Sequence, residues 1–380
     1  MRILHVVGKL DYGGVETWLV QVLRHIDRRK YQMDFLVHTA DPGAYDEEVR
    51  ALGSRVIPCL NPSNPLQYAW NFRRALREHG PYDVVHSHIH HYGGYVLLLA
   101  MMAGVSVRIA HSHSDSRAMA GAEGLARLAY LKTMQVMIGI FATSGLAVSS
   151  EAGDQLFRKN WRNYPEQWQL QHLGIDLSRF DIPVDRNSLR RAIGIPRNAY
   201  VIGHVGRFAA SKNHAFLVEI AREAVRMEPR SFFLLVGDGP LRVAIEEKVR
   251  SYGLTEHFKF AGVRPDVPAL MKNAMDILLF PSLFEGLPVT LLEAQAAGLM
   301  SVISDVVSRE ADLVPGLIAR EPQQTSATEW AQHLLRHLQQ RIRAPIDIDL
   351  VHRSLAARSI AVSTEHLSAL YSTHANSSHL

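Results

Sequence analysis

The chain has 380 residues, 47% of them hydrophobic and 21% charged, with a formal net charge of +4. That length exceeds what one hydrophobic core usually supports, so two domains of ordinary size are expected, and the composition excludes a disordered chain or a fibrous repeat. Cys59 is the only cysteine, which excludes an intramolecular disulfide, a cysteine zinc cluster and an iron–sulfur site and fits a reducing cytosol.

The opening run Met1 to Val7 is apolar but is broken by Gly8, Lys9 and Asp11. It is too short for a signal peptide and reads as a first buried strand. Further strands are expected at Gln32 to His38, Tyr82 to His86, Ser106 to His111 and Gly145 to Ser149. Amphipathic helices such as Val15 to His25 and Gln67 to His79 lie between them, the pattern of βαβ units around a parallel sheet. The apolar stretch Leu125 to Ala147 is interrupted by Arg127, Lys132, Gln135, Thr143 and Ser144, so a membrane span is rejected.

From about Leu173 to Pro196 periodicity fades, and this segment is the candidate hinge. The pattern then restarts with strands expected at Tyr200 to Val205, Ser231 to Val236, Phe258 to Phe260, Ile277 to Phe280 and Met300 to Ser304. The helices between them are Ala215 to Met227, Leu241 to Tyr252 and Val289 to Ala297. The amphipathic stretch Ala356 to Tyr371 could pack back onto the first half, and Ser372 to Leu380 reads as a frayed polar tail. The division is therefore 1–175, 176–355 and a terminal segment 356–380. Two α/β halves joined by a hinge place a ligand cleft outside the carboxyl ends of their strands.

The strongest motif is the stretch Phe280 to Gly298, F-P-S-L-F-E-G-L-P-V-T-L-L-E-A-Q-A-A-G. A strand ends, a loop carries Glu285 and Gly286, a helix opens near Pro288, and Gly298 caps it. Free backbone amides and the positive end of a helix dipole make such a loop a ready diphosphate site. Glu285 and Glu293 lie eight positions apart and suit gripping different parts of one ligand better than sharing a proton. A second stretch, G-H-V-G-R-F-A-A-S-K-N-H from Gly203, carries Arg207 and Lys212 in one loop, where two cations can converge on a phosphate.

These stretches resemble the E-x7-E and G-R-x(n)-K-N signatures of family 4 glycosyltransferases. The resemblance implies an α/β protein of the GT-B fold, two Rossmann-like doubly wound domains facing each other across a cleft. It implies a retaining transfer of a hexosyl or N-acetylhexosaminyl group from a nucleotide-diphosphate sugar, a UDP-sugar first, to a glycan or polyprenyl-linked acceptor. Cell-surface polysaccharide biosynthesis is the implied setting.

By resemblance Glu285 contacts the donor sugar, with Gly286 and Leu287 beside it, and Glu293 holds the ribose. Arg207 and Lys212 meet the diphosphate. Gly237, in the stretch L-V-G-D-G-P, and Val263 with Arg264, in F-A-G-V-R, resemble the loops that meet the donor and its base. The loop K-L-D-Y-G-G-V-E lacks the dinucleotide fingerprint, and Gly13 and Gly14 resemble the family's G-G-x-E loop beside the donor phosphate.

Several histidines fall at strand ends: His86 and His88, His90 and His91, His111 and His113 with Asp115. Alternate strand residues share a face, so such spacing can hold a metal. The resemblance instead takes one histidine of this strand to line the active site, His113 first and His111 second. Asp347-Ile-Asp349 is a literal D-x-D, the metal-holding motif of another glycosyltransferase class, in the wrong sequence setting.

No metal, no other cofactor and no nucleic-acid partner are expected. The location expected is cytoplasmic, with attraction of basic clusters to the inner membrane surface as a second reading. A sugar-nucleotide 2-epimerase and a non-catalytic nucleotide-sugar-binding partner are the alternatives.

Overall fold

A computed structural model describes residues 1–113, 124–343 and 346–377, with the side chains of 341–343 and 374–377 left aside. The chain forms two compact units, Met1–Gly174 together with Arg358 onward, and Ile175–Ala357.

Among the described residues the first unit holds seven strands: β1 (Arg2–Val7), β2 (Gln32–Val37), β3 (Val56–Pro58), β4 (Val84–Ser87), β5 (Val107–Ser112), β6 (Ser144–Ala147) and β7 (Trp168–Leu170). They run in the order β3-β2-β1-β4-β5-β6-β7 with every pair parallel. Strand direction of growth reverses between β1 and β4, where a doubly wound sheet opens its ligand crevice. One face packs Leu4, Val6, Leu36 and Val85 against Tyr68, Phe72 and Val96.

The second unit holds β8 (Tyr200–Val205), β9 (Ser231–Val236), β10 (Phe258–Gly262), β11 (Ile277–Phe280), β12 (Ser301–Ser304) and β13 (Ile318–Glu321). Their order is β10-β9-β8-β11-β12-β13, again all parallel, with the reversal at β8 and β11. Phe233, Leu235, Ile277 and Leu279 pack beneath the helices His214–Met227 and Ala327–Arg343 through Leu217, Ile220, Trp330 and Leu334. These findings bear out the two Rossmann-like domains.

Some elements differ from the sequence reading. Three short strands, β3 (V-I-P), β7 (W-Q-L) and β13 (I-A-R-E), were not foreseen because none forms a continuous apolar run of four residues; the helix Ala327–Arg343 was not foreseen either. The stretch Leu125 to Ala147 divides into a helix, Leu125–Phe141, and β6. No helix of the described residues is long and apolar enough to cross a membrane.

The segment expected to be an irregular hinge belongs from Ile175 onward to the second unit and contains the helix Arg186–Ala192. Asp185 caps that helix by accepting from Ser188 N at 2.6 Å. Arg190 then anchors it, donating to Ala274 O, Ala199 O and the Asp276 carboxylate.

The terminal helix runs Ile360–Ser377, so the expected fraying at Ser372 does not occur there; residues 378–380 lie outside the described residues. Tyr31 OH holds Ser372 Oγ at 2.6 Å. Nearer its start, Ser363 accepts from Trp18 Nε1 at 2.9 Å and Gln171 Nε2 at 3.0 Å, which fastens this helix to the first unit.

Candidate active site

In the second unit three loops lie side by side at the carboxyl ends of β8, β9 and β10. Gly206 N donates to Val236 O at 3.0 Å, Phe208 N to Asp238 O at 2.9 Å, and Gly237 N to Gly262 O at 2.8 Å. This close stacking needs glycine: Gly237 has φ of 134°, and a Cβ there would sit 2.1 Å from Gly206 O, a conformation and an approach open only to a residue without a side chain.

Arg207 and Lys212 leave the end of β8 together. Arg207 is exposed. Lys212 turns toward β11, where its Nζ lies 2.6 Å from Glu285 Oε1 and 4.6 Å from the centre of the Phe280 ring. The loops are tied at the backbone as well, since Leu283 N donates to Ser211 O at 2.8 Å. Adjacent strands β8 and β11 thus bring the two motifs together at the reversal point of the sheet. Beneath them His204 Nδ1 donates to Leu279 O at 2.9 Å and its ring stacks on Phe280, and His214 stacks on Phe208. Burial holds His204 well below the usual imidazole range and takes His214 down to about 4, so both are neutral props.

Gly286 and Leu287 are buried. The helix that follows is Val289–Ala296, with Pro288 as its N-cap and Gly298, at φ of 66°, just past its end. Gln295 fixes this helix, donating to Leu291 O and Ala311 O and accepting from Leu313 N and Val314 N. Glu293 is partly buried. Protein atoms displace water around its carboxyl and push it up to about 7, with Arg179 pulling weakly the other way.

Arg179 escaped the sequence reading because a lone arginine near a fading periodicity carries no signal. It donates to Pro265 O at 2.7 Å, which sets it beside the loop after β10. In that loop Val263 is exposed, whereas the guanidinium of Arg264 is held by Asp266 at 2.8 and 2.6 Å.

The remaining candidates belong to the first unit. Gly13 and Gly14 follow β1 and open the helix Gly14–His25; the Glu16 side chain folds over Gly13, where a Cβ would lie 2.2 Å from its Oε2. His111 is buried inside β5, and His113 follows that strand directly.

These two do not stand alone. His5, His86 and His88, from β1, β4 and its end, join them on one face of the sheet. His5 Nδ1 lies 2.9 Å from His88 Nε2, His88 Nδ1 lies 2.8 Å from His113 Nε2, and His86 Nε2 lies 3.2 Å from His111 Nδ1. Burial keeps all five neutral, with His5 and His113 taken down to about 3. Asp115 lies outside the described residues. Asp347 of the D-x-D stretch accepts from Asp349 N and Leu350 N and serves as a helix cap.

Residues 12–179 match the family described as Glycosyltransferase Family 4, and residues 199–340 match that described as Glycosyl transferases group 1. The putative glycosyltransferase EpsF of Bacillus subtilis is 38% identical over 339 residues, covering 88% of this chain and 87% of that one. The UDP-Gal:alpha-D-GlcNAc-diphosphoundecaprenol alpha-1,3-galactosyltransferase of Escherichia coli is 25% identical over 314 residues, with 80% of each covered. Among solved structures, Anabaena HepE in complex with UDP and glucose superposes with a TM-score of 0.80 at 18% identity, over 98% of this chain and all of that one. WaaG, a glycosyltransferase involved in lipopolysaccharide biosynthesis, does so with a TM-score of 0.73 at 16% identity, over 97% of this chain and 98% of that one. The two motif-bearing loops that meet at Lys212 and Glu285 therefore sit in a chain that belongs to glycosyltransferase family 4 and has the GT-B fold.

Proposed function

We propose that this chain transfers a sugar from a UDP-sugar to a glycan or polyprenyl-linked acceptor in cell-surface polysaccharide biosynthesis, with retention of configuration and without a metal ion. The observation that carries this reading is the Lys212–Glu285 pair, which joins the two family motifs across adjacent strands of one unit. The relatives named above are glycosyltransferases, and HepE was solved with UDP and glucose. They support a transferase over the epimerase or the non-catalytic partner.

In this reading Arg207 and Lys212 stabilise the departing diphosphate. An ammonium has three donors; one goes to Glu285 Oε1, and the others can meet phosphate oxygens. The helix start at Val289 adds its amides and dipole. Glu285, with Gly286 and Leu287, holds sugar hydroxyls, and Glu293 holds the ribose. Gly237 lets the backbone approach the donor, and Val263 and Arg264 meet the base chiefly through their backbone, because the Arg264 charge is already paired. Gly13, Gly14 and His113 keep the roles that the family resemblance assigns them.

The acceptor hydroxyl attacks on the face from which the diphosphate leaves, and a donor phosphate oxygen takes its proton. The protein's part is positioning and charge stabilisation. The work is done at the cytoplasmic face of the membrane.

A donor panel of UDP-, GDP- and ADP-sugars, read by nucleotide release with and without a polyprenyl-diphosphate-sugar acceptor, tests the proposal. Acceptor-dependent release of UDP supports it. Conversion of the sugar while its nucleotide stays attached would replace it with epimerisation, and tight nucleotide binding with no release from any donor would replace it with a binding role.

A further inference from the structure

Five imidazoles gather at the carboxyl ends of β1, β4 and β5. The parallel register sets His5 opposite His86 and His86 opposite Ile109, so the two-residue period of a strand turns His88, His111 and His113 to the same face. His88, His111 and His113 can each place one ring nitrogen within 4.8 Å of the other two. Trp18 covers them, with its ring 5.5 Å from His111 and 6.2 Å from His113, centre to centre.

Hydrogen bonding does not exhaust this cluster. His111 Nε2 and His113 Nδ1 are buried without a hydrogen-bond partner, as is His5 Nε2. Of these, His111 Nε2 is the orphaned atom that a ligand bound among His88, His111 and His113 would engage. The other ring nitrogens are held in the manner expected behind metal ligands. His88 Nε2 faces His5 Nδ1, and His111 Nδ1 faces His86 Nε2, whose own Nδ1 lies 2.9 Å from the hydroxyl of the buried Tyr371.

We propose that His88, His111 and His113 form a binding site for a divalent transition metal of the Zn²⁺ class. His88 would coordinate through Nδ1, and His111 and His113 through Nε2. His5 and His86, the latter backed by Tyr371, hold the first two rings in orientation. All three ligands bind as neutral imidazoles, and only tautomers change, so no proton need leave the cluster. Imidazole-only donors select Zn²⁺, Ni²⁺ or Cu²⁺ and not the oxygen-seeking Mg²⁺ or Ca²⁺.

Zinc at about 2.0–2.1 Å from each nitrogen spaces two tetrahedral ligands about 3.3 Å apart. His88 and His113, now 2.8 Å apart, therefore need to separate by about half an ångström. His113 is partly exposed, which supplies both the freedom and an entry path. The site rests on the first unit alone and does not depend on the transfer reading. If His113 also serves transfer, bound metal opposes it and acts as an inhibitor.

The full-length chain, stripped with EDTA, is titrated with ZnSO₄ by calorimetry and with CoCl₂ by visible absorption. One equivalent of Zn²⁺, tetrahedral Co²⁺ bands and a rise in melting temperature are expected. His113→Gln and His111→Gln should each weaken binding by ~100-fold or more, while His366→Gln, on the exposed surface, leaves it unchanged. Circular dichroism checks that each variant folds, and His113→Gln, at the edge of the cluster, serves if His111→Gln does not. Absence of stoichiometric binding, or wild-type affinity in folded His113→Gln, overturns the site.

Discussion

Lys212 and Glu285 are 73 residues apart in sequence, yet Nζ and Oε1 lie 2.6 Å from each other with only 15% and 12% of their side chains exposed. A pair so sheltered is screened little by solvent, and removing one partner leaves the other poorly hydrated. Lys212→Ala should therefore lower stability by about 2 kcal/mol, with part of the loss recovered when Glu285→Gln is added. A double-mutant cycle in urea measures the coupling; strictly additive single losses would show the contact to be incidental.

The same lysine, with Arg207, is assigned to the diphosphate. Lys212→Ala and Arg207→Ala should each cut kcat/KM by ~100-fold or more. Arg207 is exposed, so its variant should melt at the wild-type temperature. Near-normal turnover in both variants removes the charge-stabilising role.

Glu293 supplies a pH test. Its carboxyl titrates at about 7 in the folded chain against an ordinary value of 4.5. The folded state holds its proton more tightly than the unfolded state, so the stabilising contribution is full below about 4.5 and fades as pH rises to about 7. Glu293→Gln, a neutral mimic, should match wild type near pH 4.5 and exceed it by up to about 3 kcal/mol at pH 8. Donor affinity should move oppositely, because ribose hydroxyls donate to a carboxylate: the wild-type donor KM rises as pH falls below 7. A pH-independent stability difference between the two proteins contradicts this account.

Gly237→Ala introduces a Cβ 2.1 Å from Gly206 O at a φ of 134°. The atoms it meets are all backbone of Gly206, not the tip of a flexible side chain, so the stacked loops must part. A stability loss above about 2 kcal/mol, or a raised donor KM in a chain that stays folded, is expected in unfolding and kinetic measurements. Wild-type values in both would show that the loops adapt freely.

Ser363→Ala tests the fastening of the terminal helix. The hydroxyl accepts from Trp18 and Gln171, both almost fully buried, and donates to His172 O at 3.0 Å. Gln171 Nε2 keeps His172 O and Ser363 O as acceptors, so the loss falls on the buried Trp18 Nε1–H, and leaving it unpaired should cost about 1–3 kcal/mol, read as a lower urea midpoint with an unchanged slope. Ser363→Thr, which keeps the hydroxyl, should lose less.

The division between sequence and structure follows the range of the forces involved. Strands such as β8 and β11 are legible because buried parallel strands are continuous apolar runs, and Gly298 marks a helix end by a local backbone requirement. The E-x7-E stretch and the Arg207–Lys212 loop likewise announce themselves through residues close in sequence, which is why the family and its fold could be read directly. β3 ends in Pro58 and β13 mixes Arg320 and Glu321 into its residues, so neither forms an apolar run, and the helix Arg186–Ala192 is held by Asp276, about ninety residues away, so its local pattern says little. No local pattern could tell that Lys212 meets Glu285, that burial drives Glu293 to about 7, or that five histidines from β1, β4 and β5 converge. Those properties come from strand order and from the exclusion of water, which exist only once the sheets have assembled.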